Sequence, residues 1–209
     1  MRRALVAAVV VFLVLAALSM ACYPGGNALD PAAPGHDFVR NFICDLLQPR
    51  ADNGAPNPVG RVALPVGLLA LGVGVALFWL LLPGLVAGAA LGRGARGAGL
   101  VSVAGLVAVA LTPAEAAGHW HAVAIFTACL PALVACVAAV WGLARAGRTA
   151  LAALGALTLI IGTVDGVLYA EHLRSGGAVI VWLPALQRLS MGLFIVWMLA
   201  GSRARAAPS

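Results

Sequence analysis

The stretch from Val62 to Leu82, VALPVGLLALGVGVALFWLLL, decides the fold class. It carries no charge and matches the roughly 20 apolar residues that a helix needs to cross a bilayer core. Five further segments come near that length. Helical spans are expected at about 4–21, 62–82 (to 91 on a longer reading), 98–113, 119–143, 149–171 and 178–200. The third is short enough that the bilayer would have to thin around it. The expected architecture is therefore an all-α integral membrane bundle of six helices, one domain over residues 1–209, with a long first extracytoplasmic loop at 22–61.

Composition agrees. Of the 209 residues 63% are hydrophobic and only 10% charged, and the mean hydropathy is +1.03. A soluble domain has about 25% charged residues. The net charge of +6 comes from arginines, with lysine absent, and these sit between the apolar runs as topology signals do. No basic tail, phosphate-cradling glycine loop or interleaved aromatic and basic patch occurs, which argues against a nucleic-acid partner. Abundant Ala and Arg without Lys suggest a GC-rich bacterial genome.

The start of the chain, MRRALVAAVVVFLVLAALSMAC, also bears the marks of a secretory signal, and Ala21-Cys22 resembles a lipoprotein cleavage site. Ser19 stands where such a site has leucine, and five more spans follow. An uncleaved first helix is the favoured reading. With the N-terminus cytoplasmic, that side receives Arg2, Arg3, Arg93, Arg96, Arg145, Arg148, Arg203 and Arg205, and the other side Arg40, Arg50, Arg61 and Arg174. The positive-inside rule then places both termini in the cytoplasm of a bacterial inner (plasma) membrane. All acids and all histidines fall on the opposite side.

Among these, Asp165 lies inside a span, about six residues before its expected end. A carboxylate at that depth costs roughly 2.5 to 3.5 kcal/mol unless paired or watered. Tyr169 and His172 follow at i+4 and i+7, on one helix face. Gln187 and Arg188 sit near the middle of the last expected span, so an Asp165–Arg188 ion pair is expected. His119 and His121 bracket Trp120 at the opening of the fourth span. Spaced by two, they splay apart on a helix and align only on an extended segment. The leading reading is an aromatic and polar interface collar. The alternative pools His119, His121, His172 and Asp45 as ligands of a catalytic zinc, which is held by three such ligands plus water. No HExxH, C-x-x-C or nucleophile elbow accompanies them.

Cys129 and Cys136 read as small core residues; Cys22 and Cys44 lie in or near the first loop, where a disulfide is open if the compartment oxidises. The loop holds Pro-Gly turns around a short amphipathic run, HDFVRNFICDLL. There Asn41 and Asp45 stand at i and i+4, and on a short helix both would face the histidines of the fourth span.

With its proline-glycine turn, then FVRNFICDLL at the place of a pattern R-N-F-I-S-D-L-G, then five apolar helices of which the middle one opens on a histidine, the chain resembles the DUF998 family of multi-pass membrane proteins. That family is distantly similar to the Frag1/DRAM/Sfk1 group. The resemblance implies a six-helix bundle with an outer-loop motif, and no established reaction. Cys44 and Leu47 replace the pattern's serine and glycine.

Three functions stay open. The leading one is a non-catalytic bundle that recognises membrane lipids or a partner helix through an outward-facing polar site, with Asn41, Tyr169, Gln187 and Arg188 as binding residues. Its Gly- and Ala-rich helices suit close packing in lipid or a helix-mediated oligomer. The second is an intramembrane lipid hydrolase using Asp45, His119, His121, Asp165 or His172, with or without zinc. The third is a proton-coupled transporter using Asp165 and Arg188.

Overall fold

The computed structural model describes residues 1–178 and 180–204. Arg205, counted above for orientation, lies outside them. The described chain is helical: α1 (Arg2–Ala21), α2 (Gly60–Leu81), α3 (Ala89–Leu111), a single turn α4 (Ala114–Ala117), α5 (His119–Arg145), α6 (Thr149–Arg174) and α7 (Leu183–Arg203), with 3₁₀ turns at Ile43–Leu47 and Leu82–Gly84. All but α4 are long and apolar enough to cross a membrane.

The six long helices pack in chain order, α1 on α2, α2 on α3, α3 on α5, α5 on α6 and α6 on α7. The ring closes where α7 meets α1, and α7 also touches α2. The start of α1 and the end of α7 therefore lie at one end of the bundle, where the Arg2 guanidinium donates to the carbonyl of Ala204 at 2.8 Å. The loop between α1 and α2 forms a cap on the other end. These are called the terminal end and the cap end.

Close approach of helices depends on missing side chains, because without a hydrophobic drive between apolar surfaces in lipid, van der Waals contact decides packing. On α1, Leu5, Val9, Phe12 and Ala16 are buried, and they meet α2 at Gly67 and Gly74. On α3 the approach is tighter. A Cβ at Gly105 would lie 2.1 Å from the backbone nitrogen of Ala128 on α5, and one at Gly99 would lie 2.2 Å from the Trp79 ring on α2. Trp79 joins Phe78, Phe194 and Trp197 in an aromatic cluster between α2 and α7. The Trp197 indole donates to the Leu151 carbonyl of α6 at 3.0 Å, and Gly155 leaves room for its ring.

Two boundaries differ from the sequence expectation with consequences. The third helix starts at Ala89 rather than at about 98, so GRGARG belongs to it. Its Gly92, Ala95 and Gly99 are buried at helical spacing while Arg93 and Arg96 stay exposed, and tertiary contact outweighs the poor helix propensity of glycine. The last helix starts at Leu183, not at 178. Gly176 and Gly177 carry φ of 72° and 91°, which ends α6, and Pro184 occupies the first turn of α7. Arg188 consequently sits in the second turn of α7, near the cap, rather than in mid-helix.

Gly105→Ala is expected to lower the thermal unfolding midpoint in detergent, by about 1–3 kcal/mol of overpacking. Gly97→Ala is the control, since nothing lies within 4 Å of its would-be Cβ; it should be neutral or stabilising by up to about 1 kcal/mol.

Candidate functional site

A loop from residue 22 to 59 at the end of an apolar bundle has many backbone groups and little regular structure to satisfy them. Three buried asparagines do so. Asn27 Oδ1 accepts from the amides of Leu29 and Asp30. Asn41 Oδ1 accepts from Asp37 N, and its Nδ2 donates to the Gly26 carbonyl at 2.9 Å. Asn57 Nδ2 donates to the carbonyls of Leu46 and Gln48, and its Oδ1 accepts from Gly60 N at the start of α2. Gly25 and Gly26 hold positive φ where a Cβ would strike the Ala33 carbonyl and the backbone at Asp52–Asn53. Ile43, Leu46 and Leu47 plug the cap onto the bundle, and Leu46 is wholly buried.

Within this cap a chain of polar groups runs inward. Asp45 Oδ2 accepts from Phe42 N at 2.6 Å, opening the 3₁₀ turn. Asn41 Nδ2 lies 3.3 Å from Asp45 Oδ2 and 3.0 Å from Asp52 Oδ2, so one amide bridges two carboxyl groups. The Tyr23 hydroxyl bonds the Asp52 carboxylate and accepts from Asp52 N at 3.0 Å. Tyr23 meets His36 edge to face at 5.6 Å. His36 Nε2 lies 3.1 Å from an Arg188 guanidinium nitrogen. A guanidinium only donates, so His36 Nε2 accepts and the neutral ring carries its proton on Nδ1.

Arg188 is the centre of the arrangement. It is 7% exposed, donates to the Pro184 carbonyl at 3.0 Å, and lies 4.8 Å from the centroid of the Phe38 ring. Its Nε has no hydrogen-bond partner, and no carboxylate forms a salt bridge with it among the described residues. Beside it, Gln187 Oε1 accepts from Ile43 N at 3.3 Å, which ties α7 to the cap. A cleft of about 20 Å³ opens between cap, α6 and α7, with Leu29, Arg40, Phe42, His172, Val181 and Pro184 in its lining.

Several sequence expectations are corrected by this geometry. The Asp165–Arg188 pair does not form. Arg188 lies five residues from the cap end of α7 and Asp165 nine from that of α6, a depth difference of about 6 Å at 1.5 Å per residue. Asp165 lies instead near Cys129 of α5, half-buried and without a hydrogen-bonding or ionic partner among the described residues. His119 and His121 part as a helix requires. The exposed His119 ring lies against Trp120 at 4.9 Å, whereas the buried His121 bonds the Thr112 carbonyl and ties α5 to the end of α3. The zinc set pooled from Asp45, His119, His121 and His172 does not assemble among the described residues. Asn41 and Asp45 do share a face, but they meet Asp52 and Gly26 rather than those histidines. All four cysteines are free, Cys22 and Cys44 included.

Tyr169 and His172 do come together. Both rings pack on Phe42, at 6.4 and 5.6 Å, and His172 Nδ1 bonds the Ala178 carbonyl. Tyr23, His36 and Asp52, which complete the polar chain, had no sequence signal beyond membership of a long loop, since their proximity depends on turns at Gly25, Gly26 and Gly35.

Burial pushes the Asp45 carboxyl up to about 7, helped by the Asp52 carboxylate beside it, and burial also raises Asp52. Burial, together with the Arg188 charge, pulls the His36 imidazole down to about 4. The two effects on stability have opposite sign. A carboxyl raised in the folded state favours folding when protonated, so Asp45 loses stability as pH rises from about 4 to about 7. A histidine held neutral favours folding when uncharged, so His36 loses stability as pH falls from about 6.5 to about 4. The slopes, at most about 1.4 kcal/mol per pH unit each, offset one another in the wild type. His36→Gln should therefore leave a protein that destabilises on raising pH across that window, and Asp45→Asn one that destabilises on lowering it. Melting curves between pH 4 and 7.5 check both. Asn41→Ala, which orphans the Gly26 carbonyl and Asp37 amide, should cost about 1–3 kcal/mol per group left buried.

Compared with protein-family models, with curated proteins and with solved structures, the chain matches none.

Proposed function

We propose that the protein is a multi-pass membrane protein, both termini cytoplasmic in a bacterial plasma membrane, whose cap recognises the anionic headgroup of an outer-leaflet lipid. The carrying observation is Arg188: a buried guanidinium with an unpartnered Nε and no direct salt bridge among the described residues, at the seam between cap and bundle, with the Asp45 and Asp37 carboxylates acting on it only at longer range. A buried charge is costly unless paired. His36, neutral, and the Phe38 ring face solvate it only in part. An incoming phosphate would complete the pairing, as arginine does bidentately with phosphoryl oxygens.

The surroundings fit that ligand. Arg40 lines the cleft as a cation, Leu29 and Val181 offer apolar contact for the lipid body, and Arg188 lies one turn along α7 from Pro184 of that lining, whose carbonyl it holds. Phe38, Trp120 and Trp182 are exposed around the same end, as aromatic residues are at a headgroup belt. The cleft has room for one small group, the size of a phosphate rather than of a whole lipid. The cap-end polar chain then serves recognition rather than turnover.

A photoreactive amino acid at Leu29 or Val181 is expected to capture phospholipid in intact membranes. Capture should fall at least about tenfold with Arg188→Gln, while a probe at the exposed Val137 of α5 changes little. Capture of a protein in place of lipid would favour a membrane partner. Capture no greater than at Val137 would sink the headgroup reading.

A further inference from the structure

The terminal end carries a second, unrelated feature. An open cleft of about 620 Å³ lies between the start of α1 and the end of α7. Arg2 and Arg3 from α1 and Arg203 from α7 stand over it, and Val6, Ala7 and Val10 form its wall along α1. All three arginines are exposed, as are these apolar residues. Every acid of the chain belongs to the cap loop, α4 or α6, the nearest to a terminus in sequence being Asp30 and Glu171. No side-chain carboxylate among the described residues therefore offsets this charge. One arginine is also fixed in place: Arg2 donates to the Ala204 carbonyl, which ties the two helix ends together.

We infer that this cleft is a binding site for one anionic phospholipid, its phosphate held by Arg2, Arg3 and Arg203 and an acyl chain lying along Val6 and Val10. The inference rests on the reading that the six apolar helices cross a membrane. Three guanidinium groups from two helices converge where the apolar wall begins, which is the order of parts in a phospholipid: charged head, then hydrocarbon. Basic pockets between helices at a membrane face hold anionic headgroups in this way, and each arginine near such a surface contributes on the order of fivefold in affinity. A cation cluster alone would suit any polyanion; the exposed valine wall beneath it selects a ligand with a tail. Such a lipid also bridges α1 to α7, the join that closes the ring.

The test uses the full chain in mild detergent, titrated with dioleoyl phosphatidylglycerol, with dioleoyl phosphatidylcholine, and with glycerol 3-phosphate. Bound lipid is counted by native mass spectrometry. With the cap site removed by Arg188→Gln, one phosphatidylglycerol per chain should be retained at concentrations where phosphatidylcholine and glycerol 3-phosphate are not. Arg3→Gln with Arg203→Gln should weaken retention about 25-fold, and the paired Arg→Lys changes should restore most of it. Val10→Trp, which fills the cleft without altering charge, should weaken it as well, and keeps the test open if the glutamine variant fails to fold. Equal retention of phosphatidylcholine, equal retention of glycerol 3-phosphate, or unchanged binding in the folded variants would each overturn the proposal. Arg61→Gln, an exposed arginine outside both clefts, should leave this retention unchanged. A chain recovered from cells without detergent would remove the membrane reading beneath both.

Discussion

A loop that closes the end of an apolar bundle must find partners for its own backbone, and three buried asparagines supply them. An amide side chain offers a donor and an acceptor together, so it replaces a missing stretch of backbone pairing without adding charge. Asn57 staples the cap to the first turn of α2, Asn41 holds its two halves together, and Asn27 closes its opening turn. With the cap so held, Tyr23, His36, Asp45 and Asp52 are brought inward, and Arg188 finds aromatic and imidazole partners instead of a carboxylate. The charge pattern of the whole cap end follows from that satisfaction of hydrogen bonds.

The bundle beneath is held by a different means. Gly99 and Gly105 on α3 let Trp79 and the backbone of α5 approach to contact, and Gly155 admits Trp197. Small residues bring dispersion contact along the full length of the helices, while the large aromatics gather in one cluster between α2 and α7. The two regions meet in one continuous core, where Tyr23, Ile43, Leu46 and Leu47 of the cap join the apolar side chains of the bundle.

The two ends of the molecule differ. At the cap end the loop acids surround a buried arginine that makes no direct salt bridge among the described residues; at the terminal end three arginines stand exposed with no side-chain carboxylate near among those residues. Asp165, half-buried on α6 without an ionic partner, belongs to neither arrangement, and nothing in the structure explains it.

The amino-acid sequence by itself determined the helical architecture, because span length and hydropathy are local and additive properties. It also determined that His119 and His121 part, since helical periodicity splays residues two apart, and that Tyr169 and His172 share a face. Only the tertiary structure decided the site. Arg188 read as a mid-helix residue until the left-handed Gly176 and Gly177 and the first-turn Pro184 set where α7 begins, and that shift of one turn or more took it from Asp165 to His36. Likewise GRGARG fell outside the expected third span, whereas contact made it helix. The physical reason is common to both: depth along a helix depends on where it starts, and a start is fixed by turns and packing partners far apart in the chain, which no local pattern encodes.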